Sequence, residues 1–344
     1  MDVNELRRKQ KANALIDDLY QYEDDMLSTK DINHLKKTLG ASYGHADIHY
    51  AAQSEVDIMN RMLSDNKTID GTFTSDKHQW EAIRSIIEFN NEHIIKDTGE
   101  LIYDQKAVYS LTNLGSFDDE PLGHGFIKLN GFYNKFESEN ICIVLKRHDQ
   151  CKYGFYLHTA YPGEQFVKTR DEKDIGKKVQ KLADNLKITK GDFSDIMKQT
   201  DEYKKASPIK KTYLEYIANS NNQYRLHMSA GNQKNGYQDT LSLTKRNEDG
   251  STYRTYITET EIRTTKFDKD NKPMGSPLAK YSLKNRLNLD TDDAKKAFAE
   301  IEPSYTKTIV QLQNRLTKLA SKQKVRELPH IDKSNDVQTK SFNL

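Results

Sequence analysis

The sequence lacks any long apolar segment, which limits the classes of protein it can belong to. No run of about 18 consecutive apolar residues occurs, so a membrane-spanning helix is not expected. The first residues, Met1-Asp2-Val3-Asn4-Glu5, also lack the basic and then apolar segments of a secretory signal peptide. The sequence therefore predicts a cytoplasmic protein without a membrane partner.

Cysteine is nearly absent, with 2 residues in a chain of 344. Two thiols cannot form a disulfide framework, so a reducing compartment is the simplest expectation. The pattern favours Cys142 as a small core residue in an apolar strand and Cys151 as an exposed loop thiol. The chain also has no GxxxxGKS or GxxxxGKT loop and no dinucleotide fingerprint, so no cofactor is expected.

Charge is almost balanced, with 53 Lys and Arg against 51 Asp and Glu and a net charge of +2. This balance excludes the wholesale phosphate neutralisation of a histone-like DNA coat protein. It still allows a local basic cleft. The abundance of Asn, Lys, Tyr and Ile is typical of coding in an AT-rich genome, such as a low-GC bacterium, a phage or another mobile element.

Hydrophobic periodicity divides the chain into helical and β-rich regions. Leu15 and Leu19 lie on a helical stripe, and Ser28 with Asp31 predicts a capping box that begins the next helix. Asp70-Gly71 is interpreted as a turn before a fourth helix. From residue 100 the period changes, and strands are expected at 125–129, 141–147 and 153–161.

These patterns predict an α+β protein with three domains and a tail. We expect a helical N-terminal region over 1–99 and a small central antiparallel sheet domain with a packed helix over 100–190. A C-terminal β-meander with two closing helices is expected over 191–322, with the Asp249-Gly250 turn in its sheet and Pro303-Ser304 before its last helix. The polar residues 323–344 are expected to form a flexible tail.

The stretch from residue 123 to 162 collects imidazole, cationic and hydroxyl side chains on or beside strands. The candidate site residues are His124, Lys128, Lys146, His148, His158, Thr159 and Tyr161. Side chains alternate between the two faces of a strand, so His124 and Lys128 are expected on one face of their strand. Lys146 and His148 are likewise expected on one face of theirs. In the last strand the same alternation places Thr159 and Tyr161 on the face of Leu157, opposite His158.

This set of side chains matches what metal-independent RNA cleavage needs. A general base removes the 2′-hydroxyl proton, a general acid protonates the leaving 5′-oxygen, and cations or hydroxyl donors stabilise the charged phosphorane. Histidine suits both proton roles because imidazole titrates near neutral pH. Lysine or arginine supplies the electrostatic stabilisation.

The last strand, Phe155-Tyr156-Leu157-His158-Thr159-Ala160-Tyr161-Pro162, together with a histidine-bearing element and cationic strands, resembles the barnase/EndoU/colicin/RelE-type fold of metal-independent ribonucleases. The likeness covers residues 100–190, and many toxins and phage effectors carry that fold. It implies RNA as substrate and a dedicated inhibitor or immunity protein as partner. By this resemblance His124 is the acid/base histidine, and Lys128 or Lys146 binds phosphate. Thr159 and Tyr161 are the last-strand hydroxyls, and His148 and His158 are both candidates for the second proton-transfer residue.

A non-enzymatic protein- or nucleic-acid-binding accessory protein of a mobile element is the alternative. On this interpretation the same stretch is ordinary sheet ended by Pro162. Basic strands in the C-terminal region alternate with aromatics and could hold single-stranded nucleic acid, although a solvated sheet surface is commoner. These residues are Lys245, Arg246, Arg254, Arg263 and Lys266, with Tyr237, Tyr253 and Tyr256. His45 and His49 have metal-ligand spacing without the glutamate of a zinc protease, which favours a surface or interhelical role.

Overall fold

The computed structural model describes most of the chain and confirms an α+β fold with antiparallel sheets. The described residues are 3–19, 22, 27–46, 53–100, 106–112, 114–115, 119–163, 179–181, 183–231, 238–275, 277, 279–282, 298–299 and 301–327. The chain forms two compact units. The first is Met1–Lys205 with Ile217–Gln223, and the second is Ala206–Tyr216 with Tyr224–Leu344. The boundaries expected near residues 100 and 190 fall inside the first unit.

The first unit combines helices with two small sheets. Its elements are α1 (Val3–Leu19), α2 (Thr29–Thr38), α3 (Glu55–Ser64), β1 (Ile69–Phe73), α4 (Asp76–Phe89), α5 (Asn91–Glu100), β2 (Lys106–Leu111), β3 (Gly123–Leu129), β4 (Phe132–Ser138), β5 (Ile141–Arg147), β6 (Phe155–Pro162), β7 (Lys187–Thr189), α6 (Ser194–Gln199) and α7 (Asp201–Lys205). One sheet has the order β1-β3-β4-β7 and the other has the order β2-β5-β6.

Local sequence determines where the helices begin. The capping box predicted at Ser28 and Asp31 is present at the start of α2, and Ser54 with Asp57 forms a second one at α3. Each box satisfies backbone donors that the first helical turn would otherwise leave unbonded. The turn expected at Asp70-Gly71 is wrong, because both residues lie inside β1, which pairs with β3.

The main core of the first unit lies between helices and one face of the three-stranded sheet. Leu15 from α1 and Trp80 from α4 are fully buried against Ile143 and Leu157. Burying a side chain of this size stabilises a fold by roughly 1.5–3 kcal/mol. This packing fixes which face of the sheet is internal, so the residues that alternate with these on β2, β5 and β6 point away from this core.

A short loop after α2 pairs with the free edge of β6. The Leu157 amide donates to the Leu39 carbonyl at 2.9 Å, and the His45 amide donates to the His158 carbonyl at 2.7 Å. Gly44 lies between these bonds, and a Cβ on it would be 2.2 Å from the Leu157 oxygen. Only glycine allows this approach, which carries Tyr43 and His45 to the edge of the sheet.

We expect Gly44→Ala to separate this loop from β6. The added methyl group overlaps a backbone oxygen, so the free energy of unfolding should fall by about 1–3 kcal/mol, as measured in urea. The ring signals of His45 and His158 should shift in NMR spectra.

Gly131→Ala is the matched control for this change. Gly131 has φ +90° and no neighbouring atom within 4 Å, so alanine there costs about 1–2 kcal/mol of backbone strain. It should leave the histidine signals in place. Unchanged histidine signals in Gly44→Ala would contradict the role assigned to Gly44.

The second unit is a five-stranded antiparallel meander packed against helices. Its elements are α8 (Pro208–Ile217), β8 (Arg225–Ser229), β9 (Thr240–Arg246), β10 (Thr252–Ile257), β11 (Glu261–Phe267), β12 (Ala279–Ser282) and α9 (Pro303–Glu327). The last residue of α8, Ile217, is counted with the first unit. The sheet order is β12-β11-β10-β9-β8. The Asp249-Gly250 turn joins β9 to β10, and Gly250 has φ +81°.

The helix α9 covers one face of the five-stranded sheet. The Tyr305 hydroxyl donates to the Leu243 carbonyl at 2.8 Å and lies 3.0 Å from the Thr255 hydroxyl. This helix begins at Pro303, two residues earlier than the sequence predicts, and continues to Glu327. Residues 323–327, which were expected in the flexible tail, are therefore helical. The start of the first expected closing helix, near residue 290, and residues 328–344 lie outside the described residues. No helix in the described ranges is long and apolar enough to cross a membrane.

Candidate functional site

A β-bulge in β6 decides which candidate residues share a face. Val144 pairs with Thr159 and Leu145 with Leu157, so His158 is the extra residue between them. An extra residue reverses the alternation beyond it. Leu157 and Ala160 therefore both lie in the core. The expectation that Thr159 and Tyr161 share the face of Leu157 is wrong, because the bulge turns both of them to the opposite face.

That opposite face of the three-stranded sheet, here called the outer face, carries several of the predicted residues together. Lys146 is opposite Tyr156 across the β5–β6 pair, and Tyr161 is opposite Cys142. The Cys142 thiol is close enough to Tyr161 to interact with its hydroxyl, and burial raises the pKa of this thiol. The structure thus brings Lys146, Thr159 and Tyr161 onto one surface.

Two lysines lie directly opposite each other on the outer face. Lys106 of β2 is the cross-strand partner of Lys146, and Lys106 is exposed. Like charges in this arrangement destabilise a sheet by roughly 0.2–1 kcal/mol. An anion bound at the outer face would relieve this repulsion.

Five rings form a cluster at the edge of the outer face, here called the imidazole cluster. Its members are Tyr43, His45, His148, Tyr156 and His158. The rings of His45 and His158 have centroids 5.3 Å apart, and the His158 ring is 5.9 Å from Tyr156. On the other side of Tyr156 lies His148 at 6.0 Å, which is 5.1 Å from Tyr43. The cluster therefore gathers three imidazoles within one network of ring contacts.

Exposure within the imidazole cluster differs from one ring to the next. Tyr43 is 55% exposed, and His45 is also exposed. Tyr156 is 8% exposed, and the Nδ1 atoms of His148 and His158 are buried. An exposed aromatic ring beside partly buried imidazoles is suited to stacking on a base while the imidazoles contact the adjoining backbone.

A tight turn after β5 holds His148 in the cluster. The His148 amide donates to the Gly154 carbonyl at 3.0 Å, and the Cys151 amide donates to the His148 carbonyl at 3.0 Å. The expectation that Cys151 is an exposed thiol is wrong, since the turn packs it to 6% exposure. Burial also raises the pKa of the Cys151 thiol. Neither described cysteine has the lowered pKa of a nucleophile.

His124 lies on the other sheet of the first unit. Its cross-strand neighbours are Thr72 and Glu137. Burial, followed by the charge of Lys135, lowers the pKa of His124, while Glu55 and Glu137 act in the opposite direction. The adjoining Gly123 contacts Pro162 at the end of β6 so closely that a Cβ would be 2.4 Å from the proline Cβ. His124 is therefore next to the junction of the two sheets.

Lys128 lies toward the other end of β3. It lies four residue steps along the strand from His124, a distance of about 13 Å. Its ammonium is 5.6 Å from the centre of the Tyr133 ring, and burial lowers the pKa of Lys128. The structure thus places Lys128 on a different sheet from Lys146, Thr159 and Tyr161.

Sequence reasoning missed three members of the imidazole cluster. Tyr43 and His45 are distant in sequence from the candidate stretch, and the sequence around Tyr156 indicates only an ordinary strand. The spacing of His45 points to His49 as its neighbour, and His49 lies outside the described residues. Gly44 beside His45 is a weak local signal of close backbone approach, but only the pairing with β6 reveals what it approaches.

Comparisons with known proteins give little to build on. No family model matches the chain, and no curated protein matches it. A chain of the solved CdiA-CT/CdiI complex from Y. kristensenii 33638 is similar over 33% of this chain and 95% of the other, at 17% sequence identity and a TM-score of 0.29. A similarity at this level establishes neither a family nor an activity.

The lowered pKa of His124 predicts a pH-dependent stability. The unfolded state binds a proton at this side chain more tightly than the folded state, so the free energy of unfolding should decrease as pH falls below about 6.5. Urea unfolding of His124→Gln between about pH 8 and pH 5 should show a weaker decrease than the parent protein.

The exposed helical residue His93 supplies the control. His93→Gln should keep the parent pH dependence. Equal pH slopes for the parent and His124→Gln would show that His124 does not have the lowered pKa.

Proposed function

We propose that the outer face and the imidazole cluster form the active site of a metal-independent endoribonuclease. The observation that carries the proposal is the pair of imidazoles, His45 and His158, with ring centroids 5.3 Å apart at the edge of a lysine-bearing sheet face. Two proton-transfer groups near one phosphate are what cleavage of RNA through its own 2′-hydroxyl requires.

The pair supplies both proton transfers of the reaction. One imidazole takes the proton of the 2′-hydroxyl, and the 2′-oxygen forms a bond to phosphorus. The bond from phosphorus to the 5′-oxygen breaks, and the second imidazole, protonated, gives its proton to that oxygen. The products are a 2′,3′-cyclic phosphate and a free 5′-hydroxyl. His45 is exposed and His158 is half-buried, so a phosphodiester can contact both from the solvent side.

The outer face supplies the groups that stabilise the charged phosphorane. Lys146 and its cross-strand partner Lys106 provide two ammonium groups. Electrostatic stabilisation of this kind is commonly the largest contribution to catalysis. Thr159 and Tyr161 follow His158 on the same face and offer hydroxyl donors. The exposed ring of Tyr43 is placed to stack on a base next to the scissile bond.

His148 and His124 have other roles in this proposal. The ring of His148 contacts Tyr156, which in turn contacts His158. His148 is therefore a positioning residue that acts through Tyr156. His124, which the resemblance makes the acid/base residue, remains a competing candidate because it lies beside the junction of β3 with β6.

Purified protein should cleave single-stranded RNA in the presence of a chelator. The fragments should end in 2′,3′-cyclic phosphate, as read by mass spectrometry of the products. DNA of the same sequence should stay intact because it has no 2′-hydroxyl. Intact RNA after incubation with folded protein would exclude the enzyme and leave a non-enzymatic binding protein.

Substitution of either member of the imidazole pair should nearly abolish cleavage. We expect His45→Ala and His158→Ala each to reduce kcat by about 10²–10⁴, the usual contribution of a general acid or base. Each removes one arm of a bell-shaped pH–rate profile, which a structural substitution would not do. His93→Ala should cleave at the parent rate.

The variant His124→Ala distinguishes whether the acid/base residues are the pair His45 and His158 or the histidine of β3. If the imidazole pair is catalytic, His124→Ala should retain the bell-shaped profile and most of the activity. Loss of cleavage in His124→Ala with full activity in His45→Ala would place the acid/base residue on β3 instead.

A further inference from the structure

The five-stranded sheet of the second unit has one face that α9 does not cover. Buried residues such as Leu243, Thr255 and Ile262 face the helix. The strand register places the alternate residues on the other face, here called the basic face. On the described strands β8 to β11, its charged residues are Arg225, Arg246, Arg254, Arg263 and Glu261. Four arginines against one glutamate make a local positive surface in a chain whose net charge is only +2.

Aromatic rings lie under two of these arginines. The guanidinium of Arg263 is 5.3 Å from the centre of the Tyr256 ring, its cross-strand neighbour. The guanidinium of Arg254 is 4.6 Å from the Phe267 ring. Both rings are partly exposed. Cation–π contacts of this kind hold the guanidinium groups and rings in fixed positions on the sheet.

The structure corrects the composition of this surface. Lys245, Lys266 and Tyr253, which the sequence places on a basic aromatic surface, lie on the helix-covered face. Lys245 pairs with Glu302, and the Tyr253 ring contacts Tyr305. Tyr237 lies outside the described residues. Arg225 and Phe267, which the sequence reasoning did not single out, belong to the basic face.

We propose that the basic face binds single-stranded nucleic acid. Arginines on adjacent strands contact the phosphates, and bases stack on the parts of the Tyr256 and Phe267 rings that the guanidinium groups leave exposed. A duplex keeps its bases inside and cannot use the rings, and an anionic lipid surface uses the charges alone. The combination of fixed cations with partly exposed rings therefore fits a strand with unpaired bases best. Binding here needs no cleavage chemistry, so this inference goes beyond the proposed nuclease.

The test measures binding of a short thymidine oligodeoxynucleotide to the full chain by fluorescence anisotropy. This probe has no 2′-hydroxyl, so the proposed activity cannot consume it. The double variant Arg246→Ala with Arg263→Ala should raise Kd by about tenfold or more. The magnitude of the negative slope of log K against log salt should decrease by about 1.4, which is 0.7 for each lost phosphate contact. Lys307→Ala with Lys318→Ala removes the same charge from exposed positions of α9 and should change neither quantity.

The rings provide a second, charge-neutral test. Tyr256→Ser should raise Kd about fivefold or more, because stacking on one base is lost. Tyr256→Phe should bind like the parent. Ultraviolet cross-linking of the unmodified protein to the oligonucleotide should label peptides of β10 and β11, which keeps the proposal testable if a variant does not fold.

Several results would overturn the proposal. These are equal loss of binding in the α9 control, an absence of cross-links in β8–β11, or arginine-dependent binding to phosphatidylserine vesicles without binding to the oligonucleotide. The nuclease proposal and the nucleic-acid-binding proposal can be contradicted independently of each other. His158→Ala should still bind the oligonucleotide, and the double arginine variant should still cleave a dinucleotide substrate at the parent rate.

Discussion

The pairing of β5 with β6 is the interaction on which the candidate site depends. One face of this strand pair is fixed by burial, since Ile143, Leu145 and Leu157 pack in the core of the first unit. With that face fixed, the single extra residue at His158 determines where every later side chain of β6 points. Without the bulge, Thr159 and Tyr161 would lie in the core and Ala160 would face outward. The bulge therefore joins the hydroxyl residues to Lys146 and Tyr156, at the cost of one irregular step in the ladder.

The edge of β6 that does not pair with β5 forms backbone hydrogen bonds with residues from a distant part of the chain. Backbone hydrogen bonds from Leu157 to Leu39 and from His45 to His158 extend the sheet by a short irregular segment. Such bonds satisfy an otherwise open edge, which is a stability requirement in its own right. The backbone pairing brings His45 to this edge, where its ring contacts the ring of His158. The imidazole cluster is therefore supported by main-chain geometry, which gives it a rigidity that long surface side chains lack.

Local signals predicted the fold well, and long-range pairing produced the errors. The Ser28 capping box, the Asp249-Gly250 turn and the helix after Pro303 are confirmed because each is determined by a few neighbouring residues. The local sequence Asp70-Gly71 is typical of a turn, but both residues are extended because they pair with β3 as part of β1. The strand β4 was missed although Asn130 and Gly131, with φ of 52° and 90°, form the type of turn that such a pair of residues indicates. The bulge, the burial of Cys151 and the place of His45 depend on contacts between distant segments, which periodicity does not encode.

The two units resemble each other more in where their sheets carry charge than in how they fold. Each has a sheet with one face buried against helices and the other face carrying cations, which are Lys106 beside Lys146 in the first unit and the arginines of the basic face in the second. A nearly neutral composition hides this, because many of the acids are used elsewhere in ion pairs, such as Asp70 with Arg61 and Glu302 with Lys245. Under the two proposals made above, the phosphates of a bound nucleic acid would neutralise these cations, so binding should stabilise each sheet in addition to any contacts with the bases.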